Sequence, residues 1–201
     1  GRGTPRDLAH VRDFMIELPN AKMLATQLDN VMCEHFEKIN THDELAQKMV
    51  SAISDELPTF FRDGGVIRSG FDLSLDKMRE LSNGAQTTIA KLQQEYIEKT
   101  SINTLKIKYN NILGYFIEVP STRADIMMQP ESGFIHRQTM TGNMRFTTSR
   151  LIELDNDVRS AAEKSAGIET EIISSLIESI RGISDDLLYT ADLLADLDVW
   201  V

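Results

Sequence analysis

The sequence predicts a mainly α-helical protein with a small β domain inserted in it, a helical bundle whose long antiparallel two-helix stem carries a β-sheet at its tip. Three observations predict this. Residues 100–148 alternate apolar and polar with the period of two that marks half-buried strands. On both sides of that stretch, apolar residues recur three and four apart, as in the seam of paired helices. The stretch is also net basic, inside a chain of 201 residues whose formal charge is −10.

Taken in order, Thr4-Pro5-Arg6-Asp7 reads as a helix start, with Thr as N-cap, Pro at the first helical position and Asp in the first turn. Leu8, Val11, Met15 and Leu18 mark the apolar face. Pro19-Asn20 predicts a restart of the chain, followed by a short helix with Met23, Leu24 and Leu28 and another over residues 30–39. Thr41-His42-Asp43-Glu44 has capping-box spacing for a helix to about Ile53. Pro58 closes that region, and Arg62-Asp63-Gly64-Gly65-Val66-Ile67 reads as a small hairpin or tight turn that re-aims the chain.

The first seam is Met78, Leu81, Ala85, Thr88, Leu92 and Tyr96, ending near Lys99. The second is Leu151, Leu154, Val158, Ala161, Ser165, Ile168 and Ile172. A helix of about 26 residues is about 39 Å long. Two such seams around one insertion predict two helices zipped antiparallel, with close approach at the small or polar positions Ala85, Thr88, Ala161 and Ser165. Gly182 predicts the end of the return helix, and Leu187, Leu188, Leu194 and Leu197 a further helix packed on the N-terminal bundle.

Inside the insertion, Leu105, Ile107 and Tyr109 share one parity and Lys106 and Lys108 the other. Asn110-Asn111 and Gly114 form the turn. Tyr115, Ile117 and Val119 resume the pattern with Phe116 and Glu118 opposite, and Pro120-Ser121-Thr122 ends the strand. Residues 134–140 and 144–147 read as a second hairpin around Thr141-Gly142-Asn143. Four short strands need one covered face, which Ile126, Met127 and Met128 are expected to supply. The stretch and its edge hold Lys106, Lys108, Arg123, Arg137, Arg145 and Arg150 against Glu118, Asp125 and Glu131. A local positive excess on an otherwise acidic chain draws a polyanion to that place and away from the rest.

Composition excludes several classes. A single cysteine excludes an internal disulfide framework and suits a reducing compartment. No apolar run reaches the roughly 18–20 residues of a membrane span. The chain begins Gly-Arg-Gly without a signal peptide, which reads as an excised fragment or a processed chain. Overall acidity argues against a chain-wide nucleic-acid footprint and leaves a local one open. Cys33, His35 and His42 lie near one another in sequence, but their spacing fits no standard zinc pattern and a fourth ligand is missing. Asp63-Gly64-Gly65 is not followed by the Lys-Ser/Thr of a phosphate loop. Asp155 with Asp157, and Asp196 with Asp198, lie on predicted helices outside any EF-hand pattern. His136 reads as structural. No Ser/His/Asp or Cys/His set converges, so no catalytic residue is expected.

Several of these segments resemble the MutS family of DNA mismatch-repair proteins, most closely its bacterial members. They are Arg2-Gly3-Thr4-Pro5-Arg6-Asp7-Leu8, then Arg62 to Ile67 continuing through Arg68-Ser69-Gly70-Phe71-Asp72 to Leu75-Asp76. Leu105-Lys106-Ile107-Lys108-Tyr109-Asn110, Gly114-Tyr115-Phe116-Ile117-Glu118-Val119 and Arg137-Gln138-Thr139 follow, and Leu194-Ala195-Asp196-Leu197-Asp198-Val199 closes the set, in order along the whole chain. The resemblance implies a lever (core) helical domain over 1–99 and 149–201 and an inserted clamp domain over 100–148. It implies a clamp that touches the DNA backbone without reading sequence, and a lever that links clamp state to ATPase domains. ATP and Mg would then belong to a domain of the parent protein not present here, and this chain would hold no cofactor and no metal. The parent would be a homodimer acting on double-stranded DNA, including mismatched DNA, in the cytoplasm at the nucleoid, with no membrane partner. The family's Phe-x-Glu mismatch reader and Gly-rich Lys-Ser/Thr loop are both absent, so neither mismatch discrimination nor ATP hydrolysis is expected of this chain.

The expected backbone-binding residues are Arg123, Gly142, Asn143, Arg145, Lys106, Lys108 and Arg137. Where many family members carry Lys-Asn before Arg145, this chain has Thr141-Gly142, which leaves the Gly142 and Asn143 N–H groups as phosphate donors. Arg123 is the favoured charged contact. The competing expectation is a helical protein-interaction scaffold that never meets DNA, with the basic strand residues serving as a solvated face that also blocks edge pairing.

Overall fold

The computed structural model describes residues 3–25 and 32–200. Expectations placed on Arg2, Leu28 and Asn30 lie outside the described residues, as do those on the side chains of Cys33, Leu197 and Asp198. The architecture is mainly α with a small inserted antiparallel sheet, as the sequence predicts. Helices α1 (Pro5–Ala25), α2 (Met32–Glu37), α3 (Asp43–Ala52), α4 (Leu73–Asn83) and α5 (Ala85–Thr100) come first. Strands β1 (Lys106–Asn110), β2 (Gly114–Pro120), β3 (Ile135–Met140) and β4 (Asn143–Thr147) follow, and then α6 (Ser149–Gly182) and α7 (Ser184–Trp200). The chain forms two compact units. One takes the chain up to Leu73 together with the chain from Ala166 on, and the other takes Ser74–Ser165.

In the first unit, α1 starts as its sequence dictates. The Asp7 carboxylate accepts hydrogen bonds from the Thr4 amide (2.7 Å) and hydroxyl (2.9 Å), and the Asp7 amide donates to Thr4 Oγ1 (3.3 Å). This closes the reciprocal capping arrangement over Pro5. The predicted restart at Pro19 does not occur, because Pro19 lies inside a helix that continues to Ala25. Burial of Met15, Leu18 and Ala25 along one side of α1 offsets the hydrogen bond that proline cannot donate. Ala25, Phe36, Ile39 and Leu193 of α7 cluster behind it. The predicted cap at Thr41 also gives way. The N-cap of α3 is His42, in the left-handed region at φ 49°, with no side-chain cap. Its amide donates to Asn40 Oδ1 (3.0 Å), and its Nε2 lies 3.0 Å from Asp186 Oδ2 of α7. The tertiary partner takes the place of the local box.

Residues 61–68 form the expected turn. A 3₁₀ turn at Phe61–Asp63 leads into Gly64 and Gly65, both at positive φ, where only glycine sits without strain. Ile67 then pairs with Ile53 as a single antiparallel bridge. Glu169 of α6 secures this turn: its carboxylate, 5% exposed, accepts the amides of Gly65 (3.2 Å) and Ile67 (2.9 Å).

In the second unit, the four strands lie in the order β1-β2-β4-β3, all antiparallel. The β1–β2 turn is built by Asn110, whose Oδ1 accepts the amides of Ile112 (3.0 Å) and Leu113 (2.7 Å), before Gly114 at φ 68°. Ile117, Val119 and Phe146 face a core with Leu92 and Tyr96 of α5 and Leu151 of α6. The covering residues differ from expectation. Ala124 and Met127 are fully buried, while Ile126 and Met128 are exposed. They follow from the 3₁₀ helix Ser121–Ile126, which presents residues three apart on one side.

Tyr96 and Thr148 share a buried 2.7 Å hydrogen bond, and Arg150 pairs with Glu95 at 2.8 Å. Further along, Gly84 and Ala85 face Val158 and Ala161 across a cleft. The two helical segments therefore run antiparallel, as predicted. The seam differs in three details. Gly84 interrupts the first helix, separating α4 from α5. The small residues Ala85, Thr88 and Ala161 line a cleft of about 710 Å³ in place of the close approach expected of them. In α6 the buried stripe passes from Leu151 and Ala161 to Glu169, Ile173 and Leu176, so Ile168 and Ile172 are only half-buried. A straight helix drifts against a seven-residue repeat in this way.

Candidate nucleic-acid interface

Strand register sorts the basic residues onto one face of the sheet. Paired residues share a face, and the pairs Lys106↔Glu118, Lys108↔Phe116 and Glu118↔Arg145 link three strands in a row that ends at Gln138 of β3. The opposite face holds Ile117, Val119 and Phe146 and is the core side. Lys106, Lys108 and Arg145 therefore stand together on the side turned away from the core.

That face has an acid at its centre. Glu118 accepts a hydrogen bond from Lys108 Nζ through one carboxylate oxygen and from Arg145 Nε (3.1 Å) through the other. Arg145 also donates Nη1 to Gln138 Oε1 (3.1 Å), and its guanidinium lies 4.5 Å from the centre of the Phe116 ring. This contact lets Phe116 be buried on the polar face. The Lys108 hydrogen bond, followed by that from Arg145, holds the Glu118 carboxyl below its ordinary range against the opposing effect of burial. Sequence reasoning missed Glu118, Gln138 and Phe116 as members of this group. The Asn110–Gly114 turn sets the β1–β2 register and so places Glu118 opposite Lys106 and Phe116 opposite Lys108, whereas the pairing of β4 with β2 and β3, which brings in Arg145 and Gln138, has no such local signal.

The other candidates sit at the margins. Arg123 is exposed on the 3₁₀ helix after β2 and has no ion pair among the described residues. Arg137 is the extra residue of a β-bulge between His136 and Gln138 in β3, a strand exposed along its whole length. A bulge re-aims a side chain, and Arg137 likewise has no ion pair among the described residues. Gly142, at φ 81°, makes the β3–β4 turn with open space around it. Asn143 belongs to β4 and not to the turn, paired with Met140 and Pro120. The Ser121 amide donates to the Gly142 carbonyl (3.0 Å), so the loop that bears Arg123 and the hairpin turn are hydrogen-bonded neighbours. His136 lies on the core face, its ring edge-on to Phe146 at 5.6 Å and its Nε2 3.0 Å from Thr139 Oγ1, which is a structural setting.

Beside β1, Tyr109 and Tyr115 meet edge-to-face at 5.0 Å near Asp155. Burial, then Asp155 and Tyr109, push the Tyr115 phenol above its ordinary value. An acid at this point disfavours a phosphate, which sets this corner apart from the Lys106–Arg145 face and the Arg123 loop. Among the described residues, no group of three or more His, Cys, Asp or Glu is arranged to hold a metal ion, and no helix is long and apolar enough to cross a membrane.

Residues 70–164 match the family model described as MutS family domain IV. Three relatives named DNA mismatch repair protein MutS align with essentially the whole chain. The protein from Rhodopseudomonas palustris (strain BisB5) is 36% identical over 205 residues, covering 99% of this chain and 22% of the relative. That from Bartonella quintana (strain Toulouse) is 40% identical over 210 residues, and that from Bartonella tribocorum (strain CIP 105476 / IBS 506) 41% over 212, each covering 100% of this chain and 23% of the relative. The chain thus spans less than a quarter of the length of these curated relatives.

Proposed function

We propose, because this chain belongs to the MutS family, that residues 100–148 are a clamp that grips the sugar–phosphate backbone of double-stranded DNA without reading its sequence. In this reading, residues 1–99 and 149–201 are the lever domain, which passes the state of the clamp to ATPase domains elsewhere in a longer protein. That parent is a homodimer, acts on DNA that includes mismatched duplex, and takes ATP and Mg on a domain outside this chain. The observation that carries the reading is the register of the sheet. It collects Lys106, Lys108 and Arg145 on the face away from the core, with exposed Arg123 and Arg137 beside it. Cations gathered on one surface of a net acidic chain suit a contact made with phosphates and not with base edges.

Binding is then weak and steeply salt-dependent, with Kd no tighter than about 10⁻⁴ to 10⁻⁶ M at physiological salt. Titration of the chain with homoduplex and with a mismatched duplex of the same length tests this, and equal affinities are expected. A preference for the mismatch overturns the backbone reading. Arg123→Glu should flatten the dependence of log K on log salt by about one unit. No binding even at about 20 mM salt, where screening is weak, together with self-association through the helices, would favour the interaction-scaffold reading.

A further inference from the structure

We propose that Glu118 is a built-in charge brake on the cationic face, offsetting one of the two positive charges of Lys108 and Arg145 from within the sheet and leaving polyanion binding mainly to Arg123, Arg137 and Lys106. Its biological meaning rests on the DNA contact proposed above. The geometry itself requires no ligand. Both carboxylate oxygens of Glu118 are engaged, one by Lys108 and one by Arg145. The Glu118 and Arg145 side chains are 14% and 19% exposed, so solvent screens their pairing only weakly. Arg145 is further committed to Gln138 and to the Phe116 ring. A phosphate that approaches Arg145 meets a guanidinium with three partners and, beside it, a carboxylate of its own sign. Lys108 is more open, at 48% exposed, yet it shares the same acid.

The margins differ from the centre. Arg123 stands on a loop, Arg137 on a bulge in an exposed edge strand, and Lys106 at the outer edge of β1, all exposed and none with an ion pair among the described residues. Counting cations on this face therefore overstates the charge it offers. The effective grip is a set of peripheral residues around a middle whose charge Glu118 halves. Glu118 remains ionised at neutral pH, since its partners hold its carboxyl below the ordinary range, so the brake stays on under ordinary conditions.

The test compares Glu118→Gln with Glu131→Gln, which removes the same charge from an exposed position without an ion pair among the described residues. Each variant of the whole chain is eluted from immobilised heparin, a sulfated polyanion, and titrated with duplex DNA. Glu118→Gln should elute at distinctly higher salt than Glu131→Gln. It should bind duplex about tenfold more tightly at low salt, with a slope of log K against log salt steeper by about one to two units. Equal gains from the two variants overturn the proposal. Lys108→Gln and Arg123→Gln give an independent reading that leaves Glu118 in place. Arg123→Gln should flatten the heparin salt dependence by about one unit and Lys108→Gln by less than half of that, and equal losses sink the brake. A Glu118→Gln gain on heparin while no variant binds duplex would keep the brake and discard DNA as its ligand. Duplex binding that Glu118→Gln does not tighten would do the reverse.

Discussion

Two carboxylates, one in each unit, do opposite things with the same chemistry. Glu169 sits on α6 and accepts two main-chain amides of the Gly65–Ile67 turn while 5% exposed. Glu118 sits on β2 and accepts two side-chain cations while 14% exposed. The first satisfies, at Ile67, a buried amide that has nowhere else to go, because a buried amide without an acceptor keeps its full desolvation penalty. The second satisfies side-chain donors that keep other recourse, Lys108 in solvent and Arg145 with Gln138 and the Phe116 ring. An acid that serves backbone is therefore committed to the fold, whereas one that serves lysine and arginine is free to set surface charge.

Five substitutions or conditions break or sharpen this contrast. Glu169→Ala should have the largest effect, about 2–3 kcal/mol of lost stability in denaturant unfolding, since it orphans the buried Ile67 amide. Glu169→Gln keeps one acceptor and should lose roughly half as much. Glu118→Ala should lower stability by about 1 kcal/mol, because Lys108 is half exposed and Arg145 keeps Gln138 and the Phe116 ring. A value equal to that of Glu169→Ala would erase the distinction. The pH dependence is smaller and has a definite sign. The folded carboxyl of Glu118 lies below its ordinary value of 4.5, so its stabilisation is complete above that value and is lost as pH falls through the depressed folded value. Glu118→Gln should flatten the acid limb of a stability–pH curve below about pH 4.5 and leave the neutral region unchanged in shape. Smallest of all, Arg150→Ala breaks a pair with Glu95 in which both side chains are more than half exposed, and it should shift stability by no more than about 0.5 kcal/mol.

The contrast also separates what the sequence discloses from what it conceals. The start of α1 is legible because Thr4, Pro5 and Asp7 act on one another within a single turn. Both hairpins are legible because alternation and turn chemistry are local, and Asn110 builds its turn from its own side chain. Glu169 is not legible, since along a helix rich in glutamate nothing marks it as the one whose partners are a hundred residues away. The same holds for His42, whose partner Asp186 overrides a good local cap, and for Pro19, whose helix is carried through by burial of its neighbours. The bulge at Arg137 leaves no composition signal at all. Of the interface, the cations are visible in sequence. Their partner Glu118 is visible only once register is known, and alternation supplies the face but not the register.

The 3.0 Å bond from the Ser121 amide to the Gly142 carbonyl has a consequence for how this surface can change over time. It is made entirely by peptide groups, so side-chain exchanges that keep the local backbone keep it, whereas a proline at position 121 would delete the donor and a side chain at Gly142, at φ 81°, would strain the turn that presents the acceptor. The two loops are thereby tied to each other through backbone. Lineages can rewrite the residues they display there while the two loops go on behaving as one finger.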